Sequence, residues 1–120
     1  MENNKILICE DDAAILDIVS IILEDYGYEV SISQTSHDII EKVEAFKPNL
    51  ILMDNWIPNI GGSEATKLLK KHPDYHMIPV IYITANSDIA ALAAAAGADD
   101  FLAKPFNLED LEKIVAKYIN

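Results

Sequence analysis

Five short apolar runs, each followed by a stretch of helical period, repeat along the chain, and this alternation restricts its fold more than any other feature. The runs fall at 5–9, 28–33, 50–54, 78–83 and, shorter, 100–103. Several are almost continuously apolar and β-branched, as strands covered on both faces must be. Between them Ile15, Ile18, Val19, Ile22 and Tyr26 share one helical face, Ile39, Ile40, Val43 and Phe46 a second, and Leu108, Leu111, Val115 and Tyr118 a last. Gly27 and Gly97 stand where helices end in a left-handed residue, and Pro48 and Pro73 follow helices they cannot continue. Asn107 with Asp110 three positions later marks the start of the final helix. The pattern predicts an α/β fold, (βα)5, over residues 1–120: a doubly wound five-stranded parallel sheet in the flavodoxin-like order 2-1-3-4-5.

In such a sheet, ligands bind beyond the carboxyl ends of the first and third strands. The residues after the first run are Glu10, Asp11 and Asp12, and the third run closes on Asp54. Three or four carboxylates therefore meet in one crevice, and like charges that close either raise their pKa values or gather a cation. Oxygen donors without a Cys or His cluster point to a hard ion, and the expected one is Mg²⁺. The fourth run delivers Thr84 to the same rim and the fifth delivers Lys104. Acids, metal, hydroxyl and ammonium together suit phosphoryl transfer, in which positive charge and donors surround the equatorial oxygens. Asp54 is then the nucleophile, forming an acyl phosphate.

The charge balance narrows the partners. Nine lysines and no arginine stand against 20 acids, for a net charge of -11, so neither a nucleic acid backbone nor an anionic membrane is a direct partner. No apolar stretch approaches a membrane span, and the opening MENNK lacks the order of a secretory signal, so a cytoplasmic domain is expected. Cys9, the single cysteine, sits inside an apolar run and reads as a small buried side chain. His37, His72 and His76 have no metal spacing and read as surface residues.

These residues together resemble the receiver domain of bacterial two-component response regulators, along the whole chain. The acidic pair of that family matches Glu10 and Asp11. Its acceptor pattern D-x-x-hydrophobic-P-x-x-x-G matches Asp54, Ile57, Pro58 and Gly62. The switch hydroxyl and the small residue after it match Thr84 and Ala85, and the lysine of K-P-F matches Lys104, Pro105 and Phe106. The aromatic switch position, three residues before that lysine, is Phe101. Each motif alone is weak, but five in order at five strand ends are specific.

The resemblance implies phosphorylation of Asp54 by a sensor histidine kinase or a histidine phosphotransfer protein. It implies Mg²⁺ bound by Asp11, Asp54 and the backbone carbonyl of Trp56, with Glu10 acting through a metal-bound water, and a cis peptide before Pro105. Thr84 would then move inward, Phe101 would turn, and the face of the fourth helix, fifth strand and fifth helix would change its preference for a protein target or a second copy. Trp56 and Asn86 occupy positions that would tune the lifetime of the phosphorylated form. Glu10 replaces a more usual aspartate, and Gly61 precedes Gly62, with a helix expected to start near Ser63. The uncharged segment IAALAAAAGA fits a helix or a docking face equally.

Three rival functions fit less well. A phosphohydrolase of the haloacid dehalogenase group generally has an aspartate where Trp56 stands. A flavin domain needs a phosphate loop where Glu10, Asp11 and Asp12 would repel it. A pseudo-receiver would lack the acceptor, hydroxyl and lysine. The domain would promote only its own phosphorylation and dephosphorylation, as a stand-alone receiver, a relay intermediate or part of a longer regulator.

Overall fold

The apolar runs become the five strands of one sheet because each can bury both of its faces. In the computed structural model, which describes residues 4–54, 61–85 and 88–119, the elements alternate as β1 (Lys5–Cys9), α1 (Ala13–Asp25), β2 (Glu29–Ser33), α2 (Ile39–Phe46) and β3 (Leu50–Asp54). There follow α3 (Gly61–Lys71), β4 (Val80–Thr84), α4 (Ile89–Ala96), β5 (Asp100–Ala103) and α5 (Leu108–Tyr118). The strand order is β2-β1-β3-β4-β5, all parallel, as the sequence predicts. Every residue of the central strands β3 and β4 is buried.

Alternation along the strands divides the core in two. Leu7, Ile51, Met53, Val80 and Tyr82 face the layer of α2, α3 and α4. Ile6, Ile8, Leu50, Leu52, Ile81 and Ile83 face α1 and α5. Cys9 lies in the first layer and is 1% exposed, and burial pushes its thiol up to about 12, so it stays protonated and inert.

Three local expectations shift. The stripe of α1 that packs on the sheet is Leu16, Val19 and Leu23, whereas Ile18 and Tyr26 point outward, 59% and 48% exposed. Aliphatic residues occupy nine of the 13 positions of AAILDIVSIILED, so two stripes compete, and the start of the helix sets the phase. That start is fixed by Asp12, whose carboxylate accepts from the N–H groups of Ala14 and Ile15 at 3.0 and 3.3 Å. β4 begins at Val80 rather than 78, because the Ile78 N–H turns back to Tyr75 and its carbonyl accepts from Lys70. α3 begins at Gly61, two residues ahead of Ser63, where the left-handed φ of 78° suits only glycine.

β2 begins one residue later than expected, at Glu29, and the helix ends hold. Gly27 and Gly97 have φ of 97° and 86°, and Asn107 caps α5 by accepting from the Asp110 N–H at 2.8 Å. The turn before β5 is braced from two sides. Lys70 reaches Asp99 at 2.6 Å, and Asp100 accepts from Lys117 at 3.0 Å and from the Tyr118 hydroxyl at 2.9 Å.

Asp100 gives a test of that brace by pH. Burial pushes its carboxyl up, but the Phe101 N–H and the Lys117 and Tyr118 donors outweigh it and hold the group below the usual carboxylate range. A depressed native value means stability present above the unfolded aspartate value and lost as pH falls through the native one. Asp100→Asn is therefore expected to flatten the acid limb of urea stability between about pH 4 and pH 2. An unchanged limb would remove Asp100 from the brace.

Candidate functional site

The crevice is built where β1, β3, β4 and β5 end. Glu10 extends β1 by one residue, its N–H donating to the Ser33 carbonyl at 3.0 Å. Its side chain, only 2% exposed, points into the crevice. One carboxylate oxygen lies 2.7 Å from Lys104 Nζ and the other accepts from the Asp12 N–H at 3.2 Å. Asp54 closes β3, is 3% exposed, and has an oxygen 3.5 Å from the same ammonium.

Asp11 is exposed at the mouth, and one oxygen each from Glu10, Asp11 and Asp54 lie within 4.8 Å of one another. Asp12 is not part of that group, because its carboxylate is occupied at the helix cap. Three carboxylates against one ammonium leave the crevice negative, and all the donors are oxygens. Two are fixed by burial and one is free to adjust. This donor set fits Mg²⁺, which binds through a few carboxylates and keeps part of its water shell.

The charges respond to their confinement. Burial pushes the Glu10 carboxyl up, the neighbouring Asp54 adds to this, and the Lys104 hydrogen bond opposes it without cancelling it. Lys104 is also disfavoured as a cation by burial, but the Glu10 hydrogen bond and the Asp54 charge hold its ammonium above the ordinary value. Lys104 thus stays charged at neutral pH.

Thr84, wholly buried, ends β4 beside Ala103 of β5. Its carbonyl accepts the Lys104 N–H at 3.0 Å, which joins the hydroxyl-bearing and lysine-bearing strand ends. The Lys104–Pro105 peptide is cis. Phe101 sits on β5 opposite Tyr82 and is 40% exposed, where an isolated phenylalanine would be expected in the core. The structure therefore brings Glu10, Asp11, Asp54, Thr84 and Lys104 to one rim. Trp56 and Asn86, with Ile57 and Pro58, lie outside the described residues.

Two features were not foreseen from the sequence. Glu10 is the closest partner of Lys104, a contact that no spacing rule predicts across 94 residues. Beside Lys104 there also opens an apolar cavity of about 360 Å³, lined by Ile15, Ile18 and Val19 of α1 and by Pro105 and Phe106.

Known proteins match both the chain and its shape. A receiver domain protein of Methanospirillum hungatei superposes with a TM-score of 0.84 at 36% identity, covering 96% of this chain and 93% of that one. The receiver domain of a sensor histidine kinase from Pseudomonas aeruginosa, described with a magnesium ion in its active site cleft, gives 0.88 at 28% identity, covering 97% of each chain. Among curated proteins, the Helicobacter pylori transcriptional regulatory protein CrdR is 36% identical over 119 residues, 97% of this chain and 55% of its own length. The Vibrio cholerae CAI-1 autoinducer sensor kinase/phosphatase CqsS is 33% identical over 118 residues, 96% of this chain but 17% of its own length. The sequence profile of the response regulator receiver domain covers residues 6–116. With that profile reaching all five strands and an acidic crevice at the strand ends, the chain belongs to the response regulator receiver family, the phosphoacceptor domains of two-component signalling.

Proposed function

We propose that Asp54 is the phosphoacceptor and that it takes the phosphoryl group from a phosphohistidine of a partner kinase or phosphotransfer protein. The observation that carries this reading is the grouping of Glu10, Asp11 and Asp54 oxygens within 4.8 Å, with Lys104 Nζ against two of those acids. An Asp54 oxygen attacks phosphorus, a P–O bond forms as the P–N bond to the imidazole breaks, and the electron pair returns to the ring nitrogen. Lys104 donates to a phosphoryl oxygen and Thr84 offers its hydroxyl to another. Asp11, Asp54 and the Trp56 carbonyl would hold Mg²⁺, with Glu10 behind them, and the ion would supply positive charge that offsets the repulsion of carboxylate and phosphate. The same crevice would admit water and let the domain lose its phosphate unaided, at a rate tuned by Trp56 and Asn86.

The output reading follows from Thr84 and Phe101. Thr84 drawn toward the phosphoryl group leaves room behind it, and Phe101, now partly exposed, turns into that room. The α4–β5–α5 face then favours another partner, a protein target or a second copy. The donor would dock over α1, where Ile18 and Ile21 are 59% and 65% exposed beside the apolar cavity. We place the exchange in the cytoplasm. The curated relatives include transcriptional regulators, and the chain spans only part of their length, so an output on DNA through a further segment is compatible with this domain.

Incubation with a phosphorylated histidine kinase tests the reading. Label is expected to move to this domain with Mg²⁺ present and to remain on the kinase after chelation. Transfer that ignores chelation would contradict it.

A further inference from the structure

We infer that the exposed face of α1 and α5 seats a basic partner: a segment whose apolar side chain enters the cavity beside Lys104 while its lysines or arginines meet the acids around it. The inference rests on the phosphoacceptor reading for one point, that the partner seated there is the phosphodonor, and adds the chemistry by which that donor is recognised.

Ile18, Ile21 and Leu108 stand open to solvent, the last of them 54% exposed. None belongs to the core layer beneath, because Leu16, Val19 and Leu23 carry the packing of α1, and Leu111 and Val115 that of α5. Ile18 instead walls the apolar cavity together with Ile15, Val19, Pro105 and Phe106. Leu108 follows Phe106 by two residues. The cavity also reaches Lys104 and Ala85, at the rim of the crevice, so an apolar group held in it lies next to the site of transfer. A pocket with aliphatic walls is where the anchor of an interface contributes most.

Charge decides what can bear that anchor. The chain has no lysine between Lys5 and Lys42, so α1 presents Asp17, Glu24 and Asp25, all exposed, with no base among them. Ile21 has Asp17 four positions before it and Glu24 and Asp25 three and four after it, which brackets it with acids on the helix surface. The first five residues of α5 add Glu109, Asp110 and Glu112. The two helices meet at this edge, where the Tyr26 hydroxyl donates to Glu112 at 3.2 Å. The lysines of α5 come later, at 113 and 117, and Lys117 is turned to Asp100. An acidic rim around an apolar site repels an anionic membrane, a nucleic acid and a second copy of the same face. It favours a cationic protein, and complementarity of this kind sets association rate and choice of partner.

The test uses two helical peptides as probes, one with leucines along one face and lysines along the other, and its twin with glutamates for the lysines. Titrated into the whole chain by anisotropy, the lysine peptide is expected to bind at least about tenfold more tightly than its twin. It should lose most of that advantage between about 25 mM and 300 mM salt, as exposed charges are screened. Ile18→Ser and Asp25→Lys are each expected to raise its Kd about fivefold, the first by opening the cavity wall and the second by reversing a rim charge. Glu64→Lys makes the same change of net charge on α3, in the opposite layer, and should stay within about twofold of wild type. All three positions are exposed, so urea midpoints should hold. The lysine peptide should also slow transfer of label from a phosphorylated histidine kinase.

Equal binding of the two peptides, a Kd indifferent to Ile18→Ser, equal weakening by Asp25→Lys and Glu64→Lys, or transfer unaffected by saturating lysine peptide would overturn the inference. Sedimentation showing a wild-type dimer that Ile18→Ser dissolves would assign the face to a second copy and overturn it too. Wild-type protein that takes no label from acetyl phosphate and Mg²⁺ would instead overturn the reading beneath it.

Discussion

Asp54→Asn is expected to take up no phosphoryl group from acetyl phosphate or from a phosphorylated kinase, while the domain stays folded. The amide keeps the shape of the carboxylate but has no oxygen that can displace a leaving group from phosphorus. Asp54 is 3% exposed and shares its crevice with Glu10 and Asp11, so removing its charge relieves repulsion between like groups. The urea midpoint should therefore hold or rise, which separates lost chemistry from lost structure. Label incorporated at the wild-type rate would remove Asp54 from the mechanism.

Lys104→Met is expected to slow phosphoryl transfer by about 10²- to 10³-fold, the usual effect of losing one donor aimed at developing charge. Methionine matches the length of the stem but leaves the carboxylates of Glu10 and Asp54 without the ammonium now 2.7 and 3.5 Å away. The stability effect carries a definite sign. Burial and Asp54 already push the Glu10 carboxyl up, and the Lys104 hydrogen bond restrains that rise. In the variant Glu10 rises further, so the native state holds a proton that the unfolded chain releases. Stability should then fall as pH rises through the native Glu10 value and recover below the unfolded one. Urea titrations at about pH 5 and pH 8 would show it. Rates within a few fold of wild type, with the same pH dependence, would assign Lys104 a surface role.

How far the molecule could be read from its sequence depended on how many arrangements each segment allows. The strands could be placed because LILMD and VIYIT are apolar on both faces and only a covered parallel strand accommodates that. The rim residues could be named because strand ends in this topology have one destination. The phase of α1 was not legible: with isoleucine at 15, 18, 21 and 22 and leucine at 16 and 23, hydropathy offers two stripes, and packing on the sheet selects Leu16, Val19 and Leu23. Phe101 was misleading taken alone, because an edge strand with alternating exposure leaves its aromatic half open. The Glu10–Lys104 pair was not legible either, since it joins residues far apart in sequence whose meeting depends on side-chain direction rather than order.

The most direct test is the chemical address of the phosphoryl group. Protein treated with acetyl phosphate and Mg²⁺ can be reduced with borohydride, which converts an aspartyl phosphate to homoserine, then digested and read by mass spectrometry. Homoserine at position 54, lost when Mg²⁺ is chelated, is the predicted result. Reduction at position 10 or 11 with Asp54 intact, or none at all, would contradict the account.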